Sequence, residues 1–214
     1  MVVSANVVPP DFSPRAFATL LAILALSAGT FAALVRRWTT ARYRYALSDW
    51  AKENHFRFQR TCTPPQPLIG DIKVPLRAAI CLSADETSIL ALEQASDAND
   101  PARWHVLVRD LESSWKPTGL RPANATSSLL DLYSISSYPT MGNPERYIVF
   151  GTDSISARRL SQSHVRGLLP PDIGLLVTGR HLLLDFSARP FDPIEFDRMV
   201  ALAEQLVAHL PRGK

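Results

Sequence analysis

Residues 16–35 read AFATLLAILALSAGTFAALV, 20 residues without a charge, closed by Arg15 on one side and by Arg36-Arg37-Trp38 on the other. At ~1.5 Å rise per residue, a helix of that length matches the ~30 Å hydrocarbon core of a bilayer. A helix bonds its own backbone polar groups, so it can lie in lipid where a loop cannot. The stretch predicts a transmembrane helix over 16–35. Around it we expect a short extracytoplasmic segment over 1–15, a basic juxtamembrane amphipathic helix over 36–54 and a soluble domain over 55–214.

Charge beside the span sets its direction. Asp11 and Arg15 cancel on the N-terminal side, whereas Arg36, Arg37, Arg42 and Arg44 follow the span with no acid before Asp49. Lys and Arg near a span are retained in the cytoplasm. The expected topology is a single pass through the inner (plasma) membrane, N-terminus outside and the C-terminal domain cytoplasmic. Residues 36–60 carry a net charge of +5, against a formal +3 for the whole chain. The basic character is therefore juxtamembrane and suits anionic lipid, which attracts each such residue by about 1 kcal/mol. Nucleic-acid binding, which needs a basic folded face, is not indicated. A cleaved secretory signal wants its basic residues before a shorter core. Small residues near Ala28 and Ala32 permit cleavage, but the charge order favours an uncut anchor.

Ala18, Ala22, Ala25, Gly29 and Ala33 fall on one face of the span. Small side chains let helix backbones approach closely in lipid. Ala22, Ala25, Gly29 and Ala33 are thus candidates for self-association or pairing with another membrane protein. Ala is common in spans and only one Gly is present, which leaves simple lipid exposure as the alternative.

Downstream, Tyr43, Ala46, Leu47, Trp50 and Ala51 recur at helical spacing, with Asn54 as a left-handed stop. Alternation over 55–60 marks a strand. Residues 76–82 and 87–93 read as strands joined at Ala84-Asp85-Glu86, and 103–111 as a third, with 116–122 breaking the chain. Residues 127–132, 154–160 and 162–169 read as short helices and 146–150 as a strand. The runs 173–178 and 181–186, separated by Gly179-Arg180, predict a tight hairpin. Asp192-Pro193-Ile194-Glu195 opens a helix with Asp as cap, Pro in the first turn and Glu returning a hydrogen bond. Its buried stripe is Phe196, Met199, Val200, Ala203, Leu206, Val207 and Leu210. The fold class is α+β: one N-terminal transmembrane helix, then an antiparallel sheet packed with helices.

Motifs of catalysis are missing from the sequence. There is no G-x-S-x-G elbow, no H-E-x-x-H pair and no glycine-rich phosphate loop. Ser154 and Ser156 lie near Asp153 and His164, but Ser and Asp at helix starts are ordinary caps. His55, His105, His164, His181 and His209 show no metal spacing. Cys62 and Cys81 have neither C-x-x-C spacing nor a His partner, which predicts reduced, partly buried thiols; an inverted topology would favour their pairing. Asn124-Ala125-Thr126 matches a glycosylation acceptor that a cytoplasmic side leaves unused. No catalytic, metal or cofactor-binding residue is assigned.

The order of pieces resembles a set of uncharacterised bacterial single-pass membrane proteins, in which a short span precedes a basic helix, a G-F-R-F-like strand and a small cytoplasmic α+β domain. The residues that carry the resemblance are Tyr45-Ala46-Leu47 through Trp50-Ala51, Asn54-His55-Phe56-Arg57-Phe58, Leu120-Arg121-Pro122 and 174–210, with little between 61 and 119. Asn54-His55 stands where those proteins have Gly. The resemblance implies a membrane-tethered cytoplasmic domain and brings no catalytic residues. The sequence therefore favours a membrane-anchored domain that binds a protein partner or supports an envelope assembly. An enzyme acting on a membrane-proximal substrate, or a periplasmic domain behind an inverted anchor, are the alternatives.

Overall fold

The protein is described from a computed structural model that covers residues 14–65, 68, 72, 74–95, 103–133, 135–138 and 146–211. The chain divides into two compact units, Met1–Ala46 and Leu47–Lys214. A helix α1, Pro14–Glu53, contains the apolar run and continues through the arginine-rich stretch. In the first unit every described side chain from 18 to 46 is exposed, Leu26 and Phe31 by 71% and 69%. An apolar helix left bare on all sides lacks the amphipathic stripe that a core helix needs. Its hydroxyls are satisfied internally: Ser27 Oγ donates to Leu24 O at 2.9 Å, Thr30 Oγ1 to Ser27 O at 2.9 Å and Thr40 Oγ1 to Arg36 O at 2.7 Å. Such back-bonding removes the penalty of an unpaired hydroxyl in an apolar medium.

In the second unit the last turns of α1 become part of a core. Leu47, Trp50 and Ala51 are buried, whereas Tyr43 and Ala46, expected on the same face, are exposed. The helix closes on a left-handed residue, but that residue is His55, φ +62°, and not Asn54. Phe56 N–H donates to Ala51 O at 2.7 Å and His55 N–H to Lys52 O at 3.4 Å. These are the two bonds of a Schellman cap. Phe56 completes it by packing on Trp50 with ring centroids 5.1 Å apart. Asn54 is occupied otherwise, its amide donating to Trp50 O at 3.0 Å.

Seven strands form one antiparallel sheet: β1 Arg57–Gln59, β2 Leu76–Ser83, β3 Thr87–Gln94, β4 Arg103–Pro122, β5 Ser136–Tyr138, β6 Tyr147–Gly151 and β7 Gly174–Asp185. The path runs β1-β2-β3-β4-β6-β5, with β7 on the other edge of β4. Two expectations fail here, and for one reason. β4 does not stop before residue 116 but spans 20 residues, and 174–185 is one strand rather than a hairpin. Val106 pairs with Asp185 and Asp110 with His181, then Trp115 with Gly179 and Leu120 with Leu175. The slack sits in β4, which bulges between Asp110 and Trp115. Gly179, φ +54°, lets β7 bend to follow it. Gly-Arg thus marks a bend opposite a bulge, a signal indistinguishable in sequence from a two-residue turn. β5 carries no apolar alternation and was not foreseen.

The sheet is apolar on both faces. One face, with Leu82, Ile89, Leu107, Leu120, Val149 and Leu182, packs against α2 Ser154–Ser161, α3 Val165–Leu168, α4 Pro193–His209 and the end of α1. The other, with Leu90, Trp104, Val106 and Leu183, is covered by Leu68 and by the 3-10 turn Leu129–Leu132. Gly119 sits where that turn presses on β4; a Cβ there would lie 2.6 Å from Leu175 O and 2.4 Å from Leu130 Cδ2. The stripe of α4 is Phe196, Met199, Leu202, Ala203 and Leu206, with Val200, Val207 and Leu210 half-buried at its margins. Asp192 caps α4 by accepting from Glu195 N at 3.0 Å. Glu195 does not return the bond; its carboxylate goes to Arg189 and Arg198.

Candidate functional site

The residues singled out for lipid contact and helix pairing all lie on α1. Ala22, Ala25, Gly29 and Ala33 are exposed, and a Cβ added at Gly29 would meet nothing within 4 Å. Ala33 continues into a shallow groove along the helix with Arg36, Arg37, Thr40 and Arg44. Arg42 turns away from that groove, its guanidinium 5.6 Å from the Trp38 ring centroid. A cation over an indole at the end of an apolar run suits the aromatic belt of an interface.

In the folded unit a cleft of about 800 Å³ opens beside the β4 bulge and the C-terminal end of α4. Its charges are mostly engaged. Arg109 Nη1 donates to Thr87 Oγ1 at 2.8 Å and Nη2 to Glu86 at 3.2 Å, and Arg180 Nε donates to Leu111 O at 3.2 Å. Asp110 faces His181 at 3.6 Å. Paired cations and anions in an open groove suit recognition of a polar surface.

Of Asp153, Ser154, Ser156 and His164, Asp153 and Ser156 come together, Ser156 Oγ donating to Asp153 Oδ2 at 3.1 Å. Asp153 Oδ1 accepts from Ile155 N at 3.0 Å and Ser156 N at 2.9 Å, which holds its carboxyl below the usual range and makes it the cap of α2. His164 stacks on His209, ring centroids 6.0 Å apart. Two carboxylates are deeply buried elsewhere, Asp185 and Glu195. Asp185 Oδ2 accepts from Ser128 Oγ at 2.8 Å and Leu129 N at 2.7 Å, and Oδ1 from Ser187 N at 3.1 Å. Beside it His105 Nδ1 meets Arg189 O at 3.0 Å, and desolvation lowers the imidazole pKa from 6.5. Arg189 is itself held in a fork by Asp172, at 2.6 and 2.8 Å, and by Glu195 at 3.1 Å. These bonds pin the end of β7 to α4 and the 3-10 turn.

The two cysteines are closer than their spacing suggests. A one-residue bulge at Ala79 puts Cys81 on the same face as Ala78, and Cys62 bridges to Ala78. Both thiols are free and touch; burial, then the Cys62 neighbour, pushes the Cys81 pKa up to about 12. A bulge breaks the period-2 alternation, which is why the sequence hid this contact. No group of His, Cys, Asp and Glu among the described residues has metal-site geometry.

No protein-family model matches the chain, and no curated protein matches it. Among solved structures, the mycobacterial trehalose monomycolate transport factor A, TtfA, is similar. It aligns with a TM-score of 0.50 at 13% identity, over 78% of this chain and 96% of that one. At that identity the likeness is one of fold.

Proposed function

We propose that this chain is a single-pass anchor carrying a non-enzymatic cytoplasmic domain that binds a protein partner or supports an envelope assembly in bacteria. The observation that carries the reading is the bareness of α1: its apolar run is exposed, and a helix of that length and composition is suited to crossing a membrane. The soluble unit makes its own core and does not need the run to fold around. Arg36, Arg37, Arg42 and Arg44 then meet anionic headgroups on the cytoplasmic side. Confinement to a surface raises the effective concentration of the domain toward other membrane-bound proteins. The fold likeness to a trehalose monomycolate transport factor is compatible with an envelope role. The face of Ala22, Ala25, Gly29 and Ala33 would pair the span with a second copy or another span; a Gly29→Leu chain that associates in bilayers as tightly as the parent removes that part.

The test is photocrosslinking in intact cells from positions in the 800 Å³ cleft of the folded unit. The expected result is one dominant membrane-protein neighbour, lost when residues 1–35 are deleted. Unchanged crosslinking by the truncated chain would overturn the anchoring role.

A further inference from the structure

A second cleft, of about 520 Å³, opens where β6 begins and α2 turns into α3. It is lined by Arg146, Ser163, His164, Arg166, Gly167 and Leu168, so its ionisable side chains are all basic and none is a carboxylate. Several other arginines of the domain are ion-paired. Arg77 and Arg103 meet Glu93, Arg109 meets Glu86, Arg121 meets Asp131, and Arg189 meets Asp172 and Glu195. Among the described residues neither Arg146 nor Arg166 has such a partner.

Arg146 is nevertheless held in place. Its Nη2 donates to Leu169 O at 2.7 Å, and its guanidinium lies 5.5 Å from the Tyr147 ring centroid. Its Nε is buried with no hydrogen-bond partner. A cation that is partly desolvated, fixed and under-bonded attracts an anion more strongly than a freely solvated one. Ser163 Oγ donates to Leu160 O at 2.6 Å, so its proton is spoken for and the donors toward a ligand are the two guanidinia and the His164 ring. His164 is backed by His209, the rings stacked at 6.0 Å.

We propose that this cleft binds a phosphomonoester, gripped by Arg146 and Arg166 with His164 at its side. A phosphomonoester carries roughly −1.5 to −2 charges at pH 7, which two arginines balance, and the guanidinium fork matches phosphate oxygens. The cleft volume falls in the ~300–1,000 Å³ range of small-molecule sites, which leaves room for the esterified group over Gly167 and Leu168. The same chemistry is offered by a soluble phosphate ester and by a lipid headgroup. The site is independent of the partner reading, and either can fail alone.

The test uses the full chain in phosphatidylcholine nanodiscs, titrated calorimetrically with glycerol 3-phosphate, and repeated in discs containing phosphatidic acid. Saturable binding in both discs identifies a soluble ester as the ligand class. Binding in the first discs that is competed away in the second identifies the lipid headgroup. In either case Arg166→Gln weakens binding at least tenfold with an unchanged melting temperature, because Arg166 makes no ion pair or side-chain hydrogen bond among the described residues. Arg146→Lys, which keeps the charge and loses the fork, weakens it less. Glycerol 3-phosphate that neither binds nor responds to phosphatidic acid overturns the proposal, as does an Arg166→Gln chain that binds like the parent.

Discussion

Replacing Asp185 with Asn removes one charge from a deeply buried carboxylate and changes no volume, so its effect isolates the hydrogen-bond network. The carboxylate accepts from Ser128 Oγ and Leu129 N on one oxygen and from Ser187 N and Oγ on the other. An amide must turn its NH2 toward one of these pairs. A hydroxyl can rotate to accept from that NH2, but a backbone N–H cannot. Whichever way the amide turns, one backbone N–H loses its acceptor, at about 1–3 kcal/mol, and the remaining bonds lose their charge assistance. Asn will orient its nitrogen toward the half-buried Ser187, where water reaches, which keeps the cost near the middle of that range, about 2 kcal/mol. For a domain of this size 1 kcal/mol shifts the melting temperature by ~2–4 °C, so the expected drop is about 4–8 °C. The assay is thermal and urea unfolding of the full chain in detergent, followed by tryptophan fluorescence. An Asp185→Asn chain that melts within 1 °C of the parent would refute the claim that this network ties β7 to the 3-10 turn.

Three further outcomes follow from the geometry. His55→Gly relieves the left-handed strain at the end of α1; with the added freedom of unfolded glycine set against it, the domain gains about 0.5–1 kcal/mol in urea unfolding. His105 has its pKa lowered by burial, so the folded state resists its protonation while the unfolded state accepts it near 6.5. Stability from this group is complete above that value and declines as pH falls toward the lowered folded pKa; His105→Gln flattens the slope of unfolding free energy between pH 7 and about 5. Cys81, buried and with its pKa raised to about 12, stays unmodified by iodoacetamide at pH 8 in the folded chain while half-buried Cys62 reacts, as read by mass spectrometry. Equal modification of both would contradict the packing of β2.

Local chemistry announced much of this architecture. Asp192 and Pro193 fix the start of α4 and Asp153 the start of α2, because a cap is a contact between near neighbours. Leu76–Ser83 and Thr87–Gln94 were legible because each is a largely apolar run beside a short polar turn. What was hidden depends on pairing across the sheet. The bulges at Ala79 and between Asp110 and Trp115 displace residues by a register that only the partner strand defines. They turned an apparent hairpin at Gly179 into a bend, and brought Cys81 to the face of Cys62. The Arg146–Arg166 cleft was equally silent, since its residues come from a strand edge and a helix turn that meet only on folding. The apolar run of α1 was readable because its length and composition need no tertiary context.

The direct measurement is proteolysis of the chain in sealed membrane vesicles of each orientation, after carbonate washing. The account predicts that the chain stays in the pellet and that trypsin removes the domain C-terminal to Arg36 from inside-out vesicles but spares it in right-side-out ones. A chain released by carbonate, or a domain cut only from the outer side, would contradict it.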